Sequence, residues 1–178
     1  MEIFIKKTKD NSIMPDKFTT IQQYPLEQRK VVKKTISALF IWLTIFLVVL
    51  VLHSFFWETF RLYLLIIDII FILILIAEPI YQYYYYKKYF YDVRTDFLVI
   101  RKGVIMVRET ILNYDKIQDV YMDQDILDRV FGLHDVHVST ATAMSGYEAH
   151  IDGVNQNNAL AIKEQILEKI RSKKPKNG

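Results

Sequence analysis

The sequence predicts a membrane helical hairpin of two transmembrane α-helices, followed by a mainly β domain with a C-terminal capping helix. Two long apolar runs lie close together in the first half of the 178-residue chain. Short apolar segments, separated by turn residues, fill the second half, and an amphipathic stretch lies near the C-terminus. These three patterns predict the order of the parts.

The first predicted membrane helix covers residues 35–57, which carry no formal charge when His53 is neutral. At about 1.5 Å per residue, this run makes a helix of roughly 34 Å, enough to cross a hydrocarbon core of about 30 Å. A signal peptide would be shorter and would end in small residues, whereas this run ends in Phe55, Phe56 and Trp57. We therefore expect a retained membrane helix.

The second predicted membrane helix covers residues 62–86. Its apolar run is followed by four consecutive tyrosines at 83–86 and then by Lys87 and Lys88, a pattern typical of an aromatic belt with a cationic anchor. Only residues 58–61 separate the two helices. Because so short a turn forces two long helices to run antiparallel, residues 35–86 are predicted to form a hairpin with both ends on one side.

The flanking charges predict the orientation of this hairpin. The turn carries only Arg61 against Glu58, whereas six cations flank the other end. These are Arg29, Lys30, Lys33, Lys34, Lys87 and Lys88. Because cytoplasmic segments are enriched in Lys and Arg, we expect a two-pass protein of the cell membrane with both termini in the cytoplasm.

Asp68 is an acidic residue inside the second predicted helix, where burial in the bilayer is costly. Folding the hairpin about residue 59 or 60 brings Asp68 close to His53, and a contact between them would reduce that cost. One interpretation is a proton or ion site. The other, which we favour, is a satisfied polar contact within the hairpin or an oligomer.

The remaining segments are assigned by composition. Residues 1–34 form a cytoplasmic N-terminal segment that has too few apolar residues for its own core, residues 87–171 form the cytoplasmic domain, and residues 172–178 form a basic tail.

The alternating apolar segments of the domain predict strands. They cover residues 89–93, 97–100, 104–112, 117–122 and 136–140, with a further strand pair possible around Gly146. Residues 101–103 are predicted to form a hairpin turn in which Gly103 supplies a positive φ.

Two helices are predicted in this domain. Residues 125–131 form a short helical turn closed by Gly132, with Leu127 and either Val130 or Phe131 facing inward. Near the C-terminus, apolar residues at helical spacing follow Asn157 and Asn158, either of which can cap the helix. Because so short a helix is marginal alone, we expect it to dock against the sheet.

A long motif in the second half reads KIQxV, then QxxLxRxFGL, then VxVxTA. Its defining residues are Lys116, Ile117, Gln118, Gln124, Leu127, Arg129, Phe131, Gly132, Leu133, Thr140 and Ala141. The motif resembles the bacterial pleckstrin-homology-like (PH-like) domain of small membrane proteins of the YdbS type, and the resemblance extends over residues 29–171. It implies a PH-like split barrel of about seven strands with a capping helix, and no established chemistry.

The residues predict no enzyme, cofactor or metal site. The chain has no cysteine, which excludes thiol nucleophiles and Cys-ligated metals, and it has no glycine-rich phosphate loop. The histidines of the domain are His134, His137 and His150, and the first two fall on opposite faces of a strand. Residues 87–178 hold 14 basic and 13 acidic side chains, a balance that also argues against nucleic acid as a partner.

We therefore predict a membrane-anchored binding or assembly module that docks a protein partner, namely a membrane protein or another PH-like domain, including a second copy. One alternative is binding of anionic membrane-lipid headgroups by a basic patch of Arg101, Lys102, Arg108 and Lys116. Another is an accessory subunit of a small transporter or export system that uses His53 and Asp68. For Gln124 and Arg129 we favour a structural role, in which they satisfy backbone carbonyls and nearby acids.

Overall fold

The computed structural model describes residues 19–140 and 149–173. After a short helix α1 (Thr20–Gln23), a helical run spans Arg29–Lys88 and is broken by non-helical backbone torsions at Phe60, with φ −124° and ψ 21°. The break divides the run into α2 (Arg29–Phe55) and α3 (Phe60–Lys88), both long and apolar enough to cross a membrane. Helix α2 begins six residues before its predicted start, and the side chains of Lys30 and Lys33 in this added part are buried. Helix α3 extends two residues past its predicted limits at each end.

Helices α2 and α3 fold back on each other as the predicted antiparallel hairpin. The ring centroid of Phe71 lies 5.5 Å from that of Trp42 and 5.4 Å from that of Phe46. Closer to the turn, His53 Nε2 lies 3.4 Å from Asp68 Oδ2, so the predicted contact between these two residues is present. Most other apolar side chains of the hairpin are exposed, as expected for helices that face lipid rather than water.

The domain that follows contains six described strands in two antiparallel sheets, where the family resemblance implies about seven. The first sheet has the order β1 (Phe90–Val93), β2 (Phe97–Lys102) and β3 (Arg108–Asn113). A 3₁₀ turn, Tyr114–Lys116, leads to the second sheet, ordered β4 (Ile117–Asp123), β5 (His134–Thr140) and β6 (Ala149–Val154). Helix α4 (Ile126–Phe131) lies between β4 and β5, and α5 (Gln156–Lys173) follows β6.

The core lies between the two sheets and α5. Ala159, Ile162 and Ile166 form the buried stripe of α5, at the spacing that places them on one helix face. The fully buried side chains of the sheets include Tyr91, Leu98, Val136 and Ile151. The C-terminal helix therefore docks against the sheets, as its amphipathic sequence predicts.

The N-terminal segment adds to this core from residue 19 onward. The Tyr91 hydroxyl donates to the carbonyl oxygen of Tyr24, and the N–H and hydroxyl of Thr20 donate to Asp92 Oδ1 at 3.0 and 3.1 Å. The side chain of Leu26 is buried in the same cluster. Although this segment cannot build a core alone, it packs against the core that the sheets provide.

The structure places one predicted turn and one predicted helix cap differently from the sequence analysis. Arg101 and Lys102 belong to β2, and the chain reverses over residues 103–107, with Gly103 at φ +111°. The apolar residues 104–107 resemble a strand in sequence but do not pair. Helix α5 begins before the predicted caps, because the N–H of Asn158 donates to Asn155 Oδ1 at 2.9 Å.

Helix α4 begins one residue after its predicted start and ends at Phe131, as predicted. Its N-cap is Asp125, whose carboxylate accepts from the N–H of Asp128 at 2.6 Å, and Gly132 closes it in the left-handed region at φ +64°. Leu127 and Phe131 are half-buried. Val130, however, points outward with 73% of its surface exposed, so of the two alternatives for the inward residue, Phe131 is correct.

Candidate functional site

The hairpin and the domain meet at a buried ion pair between Lys30 of α2 and Asp152 of β6. Lys30 Nζ lies 3.0 Å from Asp152 Oδ2 and donates to the Asp152 carbonyl oxygen at 2.9 Å. The two side chains are only 2% and 5% exposed. Because removing one member of a buried ion pair leaves the other charge uncompensated, this contact fixes the domain to the hairpin.

Further cations surround the same carboxylate. Lys102 Nζ of β2 lies 3.4 Å from Asp152 Oδ1, and Lys34 Nζ lies 3.9 Å from Oδ2. Burial raises the pKa of Asp152, but the nearby cations, led by Lys30, outweigh burial and hold the pKa far below its usual range. Asp152 is therefore a permanent anion that joins α2, β2 and β6.

Tyr89, at the junction between α3 and β1, covers this ion pair. Its ring centroid lies 3.9 Å from Lys30 Nζ, a distance suited to a cation–π contact. Its hydroxyl donates to the His150 carbonyl oxygen at 2.9 Å and accepts from the N–H of Asp152 at 3.4 Å. Burial raises the pKa of Tyr89 well above its usual value, so the phenol stays neutral and ties the end of α3 to β6.

A second charged contact holds α4 beside α2. Lys33 Nζ lies 2.9 Å from Asp125 Oδ2 and 2.5 Å from Asp128 Oδ1. One turn earlier in α2, Arg29 Nη1 donates to the Phe131 carbonyl oxygen at 3.2 Å. The start of α4 therefore lies beside Lys33 and its end beside Arg29. These two contacts set the position of α4 along the axis of α2.

The structure places three of the four residues of the predicted basic patch at one end of the first sheet. Arg101 and Lys102 end β2, and Lys102 pairs in register with Arg108 at the start of β3. Lys116 lies in the 3₁₀ turn after the opposite end of β3. Since β3 has six residues at about 3.3 Å each, Lys116 is separated from Arg108 by roughly the length of the strand.

The described residues of the family motif include both buried and exposed side chains. Gln124 Nε2 donates to the Leu133 carbonyl oxygen at 3.0 Å, which is the kind of structural role predicted for it. Ile117 and Leu133 are buried, whereas Gln118 and Arg129 are exposed. Thr140 ends β5, and Ala141 lies outside the described residues.

Two of the three domain histidines belong to a row of stacked rings. Rings of Tyr121, His137 and His150 stack in succession across β4, β5 and β6, with centroid distances of 4.9 and 5.4 Å. His134 pairs with Val154 at the far end of β5. Within residues 19–140 and 149–173, no group of three or more His, Asp or Glu side chains is arranged to hold a metal ion.

Sequence reasoning missed the part played by Lys30 and Asp152. The sequence places Lys30 only among the flanking cations that set the orientation, and it assigns no role to Asp152. The two residues are 122 positions apart, and no local pattern links them. The one available signal is the charge of Asp152 in a short strand whose only other polar side chain is that of His150.

Comparison with known proteins agrees with this architecture. The sequence model of the bacterial PH domain family matches residues 18–170, which is most of the chain and includes the hairpin. Searches of curated proteins and of solved structures gave no significant match. The narrower YdbS-type assignment stays a prediction from sequence. Because the family match covers far more than half of the chain, this protein belongs to the bacterial PH domain family.

Proposed function

We propose that this protein is a non-enzymatic, membrane-anchored PH-like module that docks a protein partner at the cytoplasmic face of the membrane. The cations that flank the domain end of the hairpin support this orientation. The ion pairs of Lys30 and Lys33 support a domain held at one height above the bilayer rather than swinging on a tether. A module fixed in this way can present one surface to a neighbouring membrane protein.

The observation that carries the proposal is an apolar surface on α4. Ile126 and Val130 are 81% and 73% exposed, and their spacing of four places them on one side of the helix. On α2, Ile36 and Phe40 are also exposed, and their spacing from Lys33 places them on the side that carries α4. These four residues form an apolar strip, named here the α4 strip, which runs from the domain onto the hairpin.

Lipid alone cannot cover the whole α4 strip. The end of α4 lies beside Arg29, six residues before the uncharged run that begins at Thr35. At about 1.5 Å per residue, Val130 therefore lies roughly 9 Å outside the hydrocarbon core. An apolar side chain at that height needs a protein contact to be buried, so we propose a partner that has its own membrane helix and an apolar cytoplasmic extension.

The basic patch supports headgroup binding less well. Lys102 faces Asp152, and burial lowers its pKa, although Asp152 opposes this effect. The guanidinium of Arg101 lies 5.2 Å above the ring of Phe90. Since Lys116 is remote from these residues, the patch lacks the convergent, uncommitted cations that a headgroup site needs.

Site-specific photocrosslinking in native membranes tests this proposal. A photoreactive residue at position 126 or 130 of the full-length protein is expected to give the same protein adduct. The same residue at the exposed position Glu164 on α5 serves as the control and should not give that adduct. Two differently tagged copies of the chain identify the case in which the adduct is a second copy.

Purified partner and full-length protein in one bilayer then provide the decisive comparison. The double variant Ile126→Asp, Val130→Asp is expected to lose the complex. The control Leu160→Asp, which places one such carboxylate at an exposed apolar position of α5, should keep it. Adducts with lipid alone, or equal binding by the two variants, would overturn the proposal.

A further inference from the structure

The loop between β2 and β3 is apolar and exposed, which is unusual for a turn. Residues 103–107 read GVIMV, and the side chains of Ile105, Met106 and Val107 are 86%, 87% and 59% exposed. Turns of this kind in water carry polar residues instead. An apolar loop tip is a feature that needs a nonaqueous environment.

The position of the loop indicates which environment that is. Strand β1 follows α3 directly, and Phe90 at its start pairs with Arg101 near the end of β2. Strand β2 therefore runs back toward the end of the hairpin. Lys102, its last residue, reaches the carboxylate that also contacts Lys30 and Lys34 of α2. The loop thus leaves the domain at the height where α2 enters its apolar run.

The remaining distance to the hydrocarbon is short. Lys34 immediately precedes the uncharged run that begins at Thr35. At about 3.3 Å per residue for an extended chain, the three steps from Lys102 to Ile105 have an upper limit of roughly 10 Å, and the tight loop spans less than this. Because Lys102 and Lys34 contact the same carboxylate, the loop starts close to the level of Thr35 and its tip has only a short distance to cover.

The backbone and the flanking charges both suit insertion. Gly103 has φ +111°, and a Cβ at this position would lie 2.0 Å from the Met106 carbonyl oxygen, so only glycine permits this tight loop. Exposed Arg101 and Arg108 lie at the base of the loop. Arginine at this depth can reach lipid phosphates while the apolar tip lies deeper.

We infer that the 103–107 loop inserts Ile105, Met106 and Val107 into the bilayer leaflet that the hairpin crosses on its domain side. The ligand is the acyl and glycerol region of the lipids, and it is recognised by apolar contact rather than by a headgroup pocket. The loop would form a third membrane contact beside α2 and α3. It would also fix the rotation of the domain relative to the hairpin. Without this contact, only the ion pairs at the junction would set that rotation.

The test uses the absence of cysteine from the chain. Full-length Met106→Cys and Glu164→Cys proteins are labelled with an environment-sensitive fluorophore and placed singly in phosphatidylcholine nanodiscs. At position 106 we expect blue-shifted emission, quenched by lipids that carry a nitroxide on the acyl chain about 5 to 10 Å below the surface. At position 164 we expect emission as in water and no quenching.

Two further arms separate insertion of the loop from electrostatic adsorption at the lipid surface. Replacing Ile105 and Val107 by aspartate in the labelled protein is expected to abolish the blue shift and the quenching, while circular dichroism shows that the fold is retained. Adding phosphatidylglycerol should leave the quenching at 106 almost unchanged. Water-like emission at 106, or quenching that requires anionic lipid, would overturn the inference. Because each nanodisc holds one chain and no partner, failure here is independent of the α4 strip.

Discussion

Asp152→Ala is expected to lower the free energy of unfolding by about 3 to 5 kcal/mol, because it leaves the buried ammonium of Lys30 without its counter-ion. The same change removes an acceptor from Lys102, which is also largely buried. The measurement is denaturant unfolding of the full-length protein in detergent, followed by circular dichroism. The domain should also lose its fixed orientation on the hairpin.

The control for this variant is an ion pair of similar length at the surface. Lys173 Nζ lies 2.5 Å from Asp96 Oδ1, with side chains 43% and 55% exposed. Since exposed ion pairs contribute about 0 to 1 kcal/mol, Asp96→Ala should have little effect. If Asp152→Ala cost no more than Asp96→Ala, the junction would not be the fixed point that the structure indicates.

The pKa of Asp152 also sets the pH dependence of this effect. Its folded-state pKa lies below the unfolded value of about 3.9. The contribution of its ionised form is therefore fully present above the unfolded pKa and is lost only as the pH falls through the lower folded value. We expect the difference in stability between the native protein and Asp152→Ala to be constant at neutral pH and to shrink only in strong acid.

Gly153→Ala is the second change with a large expected effect, because it strains the backbone and displaces Lys30. Gly153 has φ +80°, and a Cβ there would lie 2.5 to 2.9 Å from three carbons of the buried Lys30 side chain. The left-handed backbone alone costs a non-glycine residue about 1 to 2 kcal/mol. Together with displacement of the ion pair, we expect a loss of more than about 2 kcal/mol, measured by the same unfolding experiment.

Gly132 offers a matched comparison at the end of α4. It has φ +64°, and the nearest atom to a Cβ there is Arg29 Nη1 at 3.6 Å, an ordinary contact. Gly132→Ala should therefore show only the backbone cost of about 1 to 2 kcal/mol. Equal losses for the two alanine variants would contradict a tight fit of Lys30 against Gly153.

The parts of the fold that sequence predicts best are those with local signals. The hairpin follows from two long apolar runs and a short turn, and α4 follows from a short helical segment that is closed by Gly132. The contact between His53 and Asp68 could also be predicted, since a tight hairpin fixes which residues face each other. Each of these predictions depends only on residues that are close in the sequence, or on the antiparallel pairing of two helices about a short turn.

The features that sequence did not predict depend on packing between distant segments. Nothing near Lys30 indicates that its ammonium faces β6 rather than lipid headgroups, and Lys102 has the sequence context of a turn residue although it ends β2 beside the hairpin. The apolar 103–107 loop has the composition of a strand, and it differs from a strand only because these residues do not pair with another strand in the structure. The α4 strip was hidden for the same reason, because Val130 could have faced inward or outward.

The Lys30–Asp152 junction holds the PH-like domain and its membrane hairpin in one fixed arrangement. Electron–electron resonance between spin labels at Phe55, near the hairpin turn, and Glu164, on α5, tests it in nanodiscs. We expect one narrow distance distribution that broadens in Asp152→Ala. A distribution that is already broad in the otherwise unmodified protein, and unchanged by Asp152→Ala, would contradict it.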